Sequence, residues 1–143
     1  MYDQPLRDVM DTSKVLQVPP TMTVAQAARE MARVGIGAVL VMQDGALVGI
    51  FTERDAVYRV MARALDVETT LLSAVMTPQP KTLAADRPFG VALALMHKHG
   101  FRHVPVMDAG RVVGMVYARM ALDPDMEDFI AEARRRDRYV HAE

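Results

Sequence analysis

Thr52 and Asp55 stand three residues apart in Gly49-Ile50-Phe51-Thr52-Glu53-Arg54-Asp55, at the end of a short apolar run. If a strand ends and a helix begins at Thr52, several backbone N–H groups lack intrahelical acceptors. The positive end of the helix dipole then points at the same spot, which favours a phosphate. Thr52 can donate its hydroxyl to a phosphate oxygen, and Asp55 offers two acceptors suited to a pair of ribose hydroxyls. Gly49 removes a side chain where the backbone must be approached closely, and Arg54 can clamp an anion or remain in solvent. The same spacing also describes a plain helix cap, in which the acid stabilises the dipole by about 0.3–1 kcal/mol with nothing bound.

The element that carries these groups occurs twice. Sliding the sequence by 65 residues pairs Ala27 with Ala92, Met31 with Met96, Gly35 with Gly100, Val39 with Val104, Val41 with Val106 and Met42 with Met107. It also pairs Gly45 with Gly110, Val48 with Val113, Gly49 with Gly114, Arg54 with Arg119 and Ala56 with Ala121, giving 11 identities in the 30 positions from 27 to 56. A second echo, with a one-residue slip, sets Leu6-Arg7-Asp8-Val9-Met10 against Leu72-Ser73-Ala74-Val75-Met76. Two copies are too few for a solenoid, so a pseudo-symmetric pair is expected.

Each copy has the same order of elements. Thr23 with Gln26 has capping-box spacing and predicts a helix through Val24, Ala27, Ala28 and Met31, stopped by Gly35. Ala38 to Met42 reads as a buried strand, Gln43-Asp44-Gly45 as a tight turn, Ala46 to Phe51 as a second strand, and Thr52 opens a helix to about Ala64. The second copy runs from Pro88, placed as the first helical residue, through Phe89, Ala92, Leu93 and Met96 to Gly100. Strands Val104 to Met107 and Val112 to Tyr117 follow, joined at Asp108-Ala109-Gly110. Short extended segments, Val15 to Val18 and Lys81 to Leu83, precede the two units. The expected fold is α+β: unit 1 over 5–66, unit 2 over 70–122, and a C-terminal helix within 123–143. That helix starts at Asp123-Pro124-Asp125, carries Met126, Phe129, Ile130 and Ala133 on one face, and ends among Arg134, Arg135, Arg136 and Arg138, a polarity that suits the dipole.

Each copy resembles a CBS motif, and the pair resembles a CBS-pair (Bateman) module, over roughly residues 5 to 122. The resemblance rests on the Val-Met before each unit, the helices ending in Gly35 and Gly100, the strands AVLVM and HVPVM, and VGIFTERD. It implies two units associated through their sheets, pairs of modules forming dimers, and clefts for adenosine-containing ligands such as AMP, ADP, ATP or S-adenosylmethionine that regulate a partner. It also assigns phosphate to Thr52 and ribose to Asp55, so Asp55→Ala is expected to abolish binding with the fold intact. The adenine would pack against Val18, Pro19 and Ile36, or against the equivalents Leu83 and Phe101.

The second copy departs from this pattern. Tyr117 and Met120 replace Thr52 and Asp55, so a cleft built on that motif is expected to be degenerate. Arg102 and His103 stand where the first copy has Gly37 and Ala38, positions at which some family members hold phosphates. They can reach across to a nucleotide at the first motif, serve a second, anion-only site, or be an ordinary surface arginine and half-buried histidine.

The bulk numbers exclude several other functions. With 51% apolar and 24% charged residues and a net charge of -1, the chain has no global attraction for nucleic acid or anionic membranes. There is no cysteine, hence no disulfide or thiolate metal site. No apolar run approaches the ~18 residues of a membrane span, and the N-terminus is too polar for a secretory signal, so a cytoplasmic location is expected. In His97-Lys98-His99-Gly100-Phe101-Arg102-His103 the first two histidines diverge and Gly100 ends the helix, so a polar helix end fits better than a metal site. The twelve methionines fall mostly on apolar faces. No nucleophile–base pair, P-loop or dinucleotide fingerprint occurs, and no catalytic role or cofactor is expected. The alternative to a nucleotide sensor is an interaction module with vestigial clefts. Nucleic-acid binding through the arginines at 134–138 is disfavoured, because acids cluster from Asp123 to Glu132 and no aromatics interleave.

Overall fold

The spacing of Thr23 and Gln26 produces the cap it predicts in the computed structural model, which describes residues 2–122. Thr23 Oγ1 accepts from the Gln26 N–H at 3.2 Å, and Gln26 Oε1 accepts from the Thr23 N–H at 3.0 Å. Helix α2, Val24–Val34, follows and buries Val24, Ala27 and Met31 before Gly35 ends it at φ 79°. The second copy gives α5, Phe89–His99, ended by Gly100 at φ 74°. Pro88 is the extended residue before that helix rather than its first helical residue: its ψ is 145°.

The expected hairpins form in matching registers. Strands β2 (Ala38–Gln43) and β3 (Ala46–Thr52) pair antiparallel with Ala38 opposite Thr52, and β6 (His103–Asp108) and β7 (Arg111–Tyr117) pair with His103 opposite Tyr117. Both turns use two left-handed residues, Asp44-Gly45 and Ala109-Gly110, the backbone that matches strand twist. The extended leads become β1 (Gln17–Val18), parallel to β2, and β5 (Leu83–Ala84), parallel to β6.

The leading segments are exchanged between the halves. Helix α1 (Leu6–Val9) buries Leu6 among Phe89, Ala92 and Val104 of the second half, and Asp11 bridges to Met115 in β7. Helix α4 (Leu72–Val75) instead buries Leu72 and Val75 among Val24, Ala27 and Phe51 of the first half. Its continuation β4 (Thr77–Pro78) pairs with β3 and completes a four-stranded sheet, β1-β2-β3-β4, beside the three-stranded β5-β6-β7. The division at 5–66 and 70–122 follows chain order, while packing sets 5–11 on the second sheet and 71–78 on the first.

The sheets meet through a shared cluster of Ala38, Leu40 and Ile50 with Met115 and Tyr117. The α+β architecture of two pseudo-symmetric units packed through their sheets is thus as expected. After β3 the chain makes one α-turn, α3 (Glu53–Asp55), then continues as a π-helix over Ala56–Met61 rather than as a regular helix to Ala64. After β7 there is a short 3-10 turn, Ala118–Ala121. The expected C-terminal helix lies outside the described residues. Among those residues, no helix is long and apolar enough to cross a membrane.

Leu6 has no exposed surface, and truncating a buried leucine costs about 2–5 kcal/mol. Leu6→Ala is therefore expected to lower the unfolding free energy by that amount, measured by denaturant titration. A change below about 0.5 kcal/mol would mean the N-terminal segment does not belong to the second core.

Candidate functional site

Where β3 passes into α3, the walls of both halves enclose a cleft of about 1080 Å³. The first half contributes Gly37, Thr52, Glu53, Arg54, Asp55, Tyr58 and Arg59; the exchanged segment contributes Thr77, Gln79, Pro80 and Lys81; the second half contributes Gly100, Phe101, Arg102 and His103.

The cap at its base is tightly made. Asp55 Oδ2 accepts from the Thr52 N–H at 3.0 Å and the Thr52 hydroxyl at 3.3 Å, while the Asp55 N–H donates to Thr52 Oγ1 at 3.3 Å. The Thr77 hydroxyl donates to Asp55 Oδ1 at 3.2 Å, and Arg59 Nε stands 3.5 Å from the same oxygen. Arg59 also donates to the Met76 carbonyl at 2.9 Å, which ties α4 to the π-helix. Asp55 is only 7% exposed. Removing it would leave several donors unpartnered, at about 1–3 kcal/mol, so Asp55→Ala perturbs the fold as well as the cleft, contrary to the expectation from sequence.

Arg54 Nη1 donates to the Gly100 carbonyl at 2.8 Å, and its guanidinium lies 5.1 Å from the Tyr58 ring centre. It therefore joins the N-terminus of α3 to the C-terminus of α5. Gly37 accepts from the Glu53 N–H at 3.0 Å, and a Cβ on it would overlap the Glu53 carboxylate. Phe101 stacks on His99 at 5.5 Å between ring centres.

Arg102 and His103 reach this first-motif cleft across the unit boundary. His103 is not a cation there. Burial, then the fields of Arg119 and Arg102, push its pKa down to about 4. The cleft thus holds four cations, Arg54, Arg59, Lys81 and Arg102, against two acids, Glu53 and Asp55.

Other residues singled out in the sequence lie outside the cleft. Val18 is buried in the first core and Pro19 is exposed beside it. Ile36 lines a smaller hollow next to α2, and Ala38 is buried between the sheets. Gly49 does admit a close approach, but by the Met76 thioether, which a Cβ there would strike. Of the equivalents, Phe101 lines the cleft and Leu83 packs in the second core. The residues missed were Thr77, Gln79, Pro80, Lys81 and Arg59. The slipped echo at Leu72–Met76, carried forward, matches Thr77 to Asp11 but does not say which strand Thr77 lies along, and Arg59 has no such signal.

The folded pKa of His103 lies below its ordinary value of 6.5. The unfolded chain therefore binds the proton more readily, and stability falls as pH drops from about 6.5 towards 4. Thermal unfolding followed across that window should show this loss, and His103→Gln should flatten it. An unchanged slope in the variant would refute the buried neutral imidazole.

A family model for the CBS domain matches residues 6–62 and 72–123. A CBS domain-containing protein of Arabidopsis thaliana is 39% identical over 109 residues, 76% of this chain and 20% of that protein, so the chain spans about a fifth of that relative's length. An uncharacterized conserved protein from Pyrococcus horikoshii superposes with a TM-score of 0.76 at 27% identity, over 94% of this chain and 95% of that one. A CBS domain protein from Pyrobaculum aerophilum complexed with AMP shares the fold at a TM-score of 0.76 and 24% identity, covering 91% and 100% of the two chains. With its duplicated motif, its exchanged leading segments and its paired sheets, the chain belongs to the CBS domain family as a tandem CBS pair.

Proposed function

We propose that this CBS pair is a regulatory module that binds an adenosine nucleotide, of the AMP, ADP or ATP type, in the cleft at Thr52 and Asp55. It acts on a separate partner protein and has no catalytic role of its own. The observation that carries this reading is the convergence on one cleft of the Asp55 carboxylate and four cations. Ribose hydroxyls would donate to Asp55, sharing or displacing the Thr77 hydroxyl. The phosphates would lie among Arg54, Lys81 and Arg102, the N–H groups of Glu53 and Asp55 being already bonded within the chain. Phe101, Val57 and Pro80 offer apolar surface for the base. The AMP complex of the similarly folded Pyrobaculum protein supports the same ligand class. Excess positive charge favours phosphates over S-adenosylmethionine, whose sulfonium would be repelled.

A nucleotide held this way touches both halves and the segment between them. It shifts their packing only by its difference in affinity for the two arrangements. Val57, Tyr58 and Met61 are exposed along the π-helix, and they are the surface we assign to a homodimer.

One observation favours a rival reading, an interaction module without ligand: Asp55 is already satisfied within the chain. Calorimetric titration with AMP, ADP, ATP and S-adenosylmethionine separates the two. The sensor reading predicts binding of the phosphates in preference to S-adenosylmethionine, weakened at least about tenfold, or about 1.4 kcal/mol, by Lys81→Ala with Arg102→Ala. Neither heat nor thermal shift with any of the four would leave the interaction module.

A further inference from the structure

Tyr117 and Asp11 replace, in the second half, the pair formed by Asp55 and Thr77 in the first. Tyr117 stands at the β7 position equivalent to Thr52, and Asp11, opposite Met115, stands where Thr77 stands opposite Ile50. The polar contact has been inverted between the two. In the first half a carboxylate on α3 accepts from a hydroxyl on the exchanged segment, at 3.2 Å. In the second half a carboxylate on the exchanged segment, Asp11 Oδ2, accepts from the Tyr117 hydroxyl at 3.0 Å.

The remaining capacity of this second pair is also taken up. Asp11 Oδ1 accepts from the Ser13 N–H at 2.9 Å, the Ser13 hydroxyl at 3.0 Å and the Lys14 N–H at 3.3 Å. The Tyr117 N–H, whose counterpart on Thr52 reaches a carboxylate, meets only the Met120 sulfur at 3.4 Å. Tyr117 is 7% exposed, packs in the cluster between the sheets, and its ring meets His103 edge-on at 5.6 Å. Arg119 covers it at 5.0 Å.

From this geometry we infer that the second motif is closed from within by Tyr117 latched to Asp11, so that the chain holds one nucleotide, at the Thr52–Asp55 cleft. The inference rests on the nucleotide reading proposed above. Of the alternatives for Arg102 and His103, the second, anion-only site is not the one they form: both line the first cleft, and His103 also meets the Tyr117 ring. A ribose at the second motif would find a thioether in place of its acceptor, and an aromatic ring tied to the Asp11 carboxylate.

The test is the stoichiometry of ADP binding by calorimetry, for the full chain and for two variants. The wild type is expected to take one equivalent. Asp11→Thr with Tyr117→Thr and Met120→Asp, which copies Thr77, Thr52 and Asp55 into the second half, is expected to add one equivalent to whatever the wild type binds. Two equivalents in the wild type, or no gain in a triple variant with native circular dichroism, would overturn the closure. Lys81→Ala with Arg102→Ala gives a second measure that avoids the core: loss of all binding agrees with one site, whereas an undiminished equivalent would contradict it. A wild type that binds nothing while the triple variant gains one equivalent would sink the sensor reading and leave the closure standing.

Discussion

Two methionines lying across two glycines hold the molecule's connectivity. Met76 rests on Gly49 and Met10 on Gly114, at positions where any Cβ would collide with the thioether. Each contact seats a leading segment against the sheet of the half it does not precede in sequence. Met10 thereby brings Leu6 into the second core and Asp11 onto β7. Met76 brings Leu72 and Val75 into the first core and Thr77 onto β3. The cleft depends on the second of these dockings, because Thr77, Gln79, Pro80 and Lys81 form one of its walls only when β4 lies along β3.

Charge then distinguishes two otherwise matching halves. Arg54 donates across the boundary to Gly100, and Arg102 stands on the opposite wall. Cations from both copies therefore gather at the copy that kept its threonine and aspartate. His103 contributes a ring packed edge-on against Tyr117 rather than a charge, since burial and two neighbouring arginines keep it neutral at pH 7. In the other copy, burial and the Asp11 carboxylate push the Tyr117 phenol up to about 12 despite the opposing field of Arg119. Burial works against the Asp11 carboxylate, yet its hydrogen bonds from Ser13, Tyr117 and Lys14 hold its pKa below the usual carboxylate range. The Asp11–Tyr117 bond thus persists across the physiological pH range.

Much of this was legible in the sequence, because its signals are local. The Thr23–Gln26 cap, the stops at Gly35 and Gly100, and both two-residue turns follow from backbone requirements within four or five residues. The duplication revealed the pairing of the units, and Thr52-x-x-Asp55 marked the base of the cleft. What escaped was non-local. Nothing near Val18 and Pro19 tells which half's extended segment borders which motif, and the structure uses Gln79, Pro80 and Lys81 instead. Gly49 was rightly read as a place of close approach, but its visitor is 27 residues further along the chain. The inverted pair of Asp11 and Tyr117, 106 residues apart, has no signature until the N-terminal segment is seated on β7.

Amide hydrogen exchange with and without saturating ADP tests the central claim, that one nucleotide site is assembled from both halves and the exchanged segment. Slower exchange is predicted together at 52–55, 77–81 and 100–103, with residues 9–14 and 116–121 unchanged. Protection confined to one half, or appearing around Tyr117 and Asp11, would contradict the account.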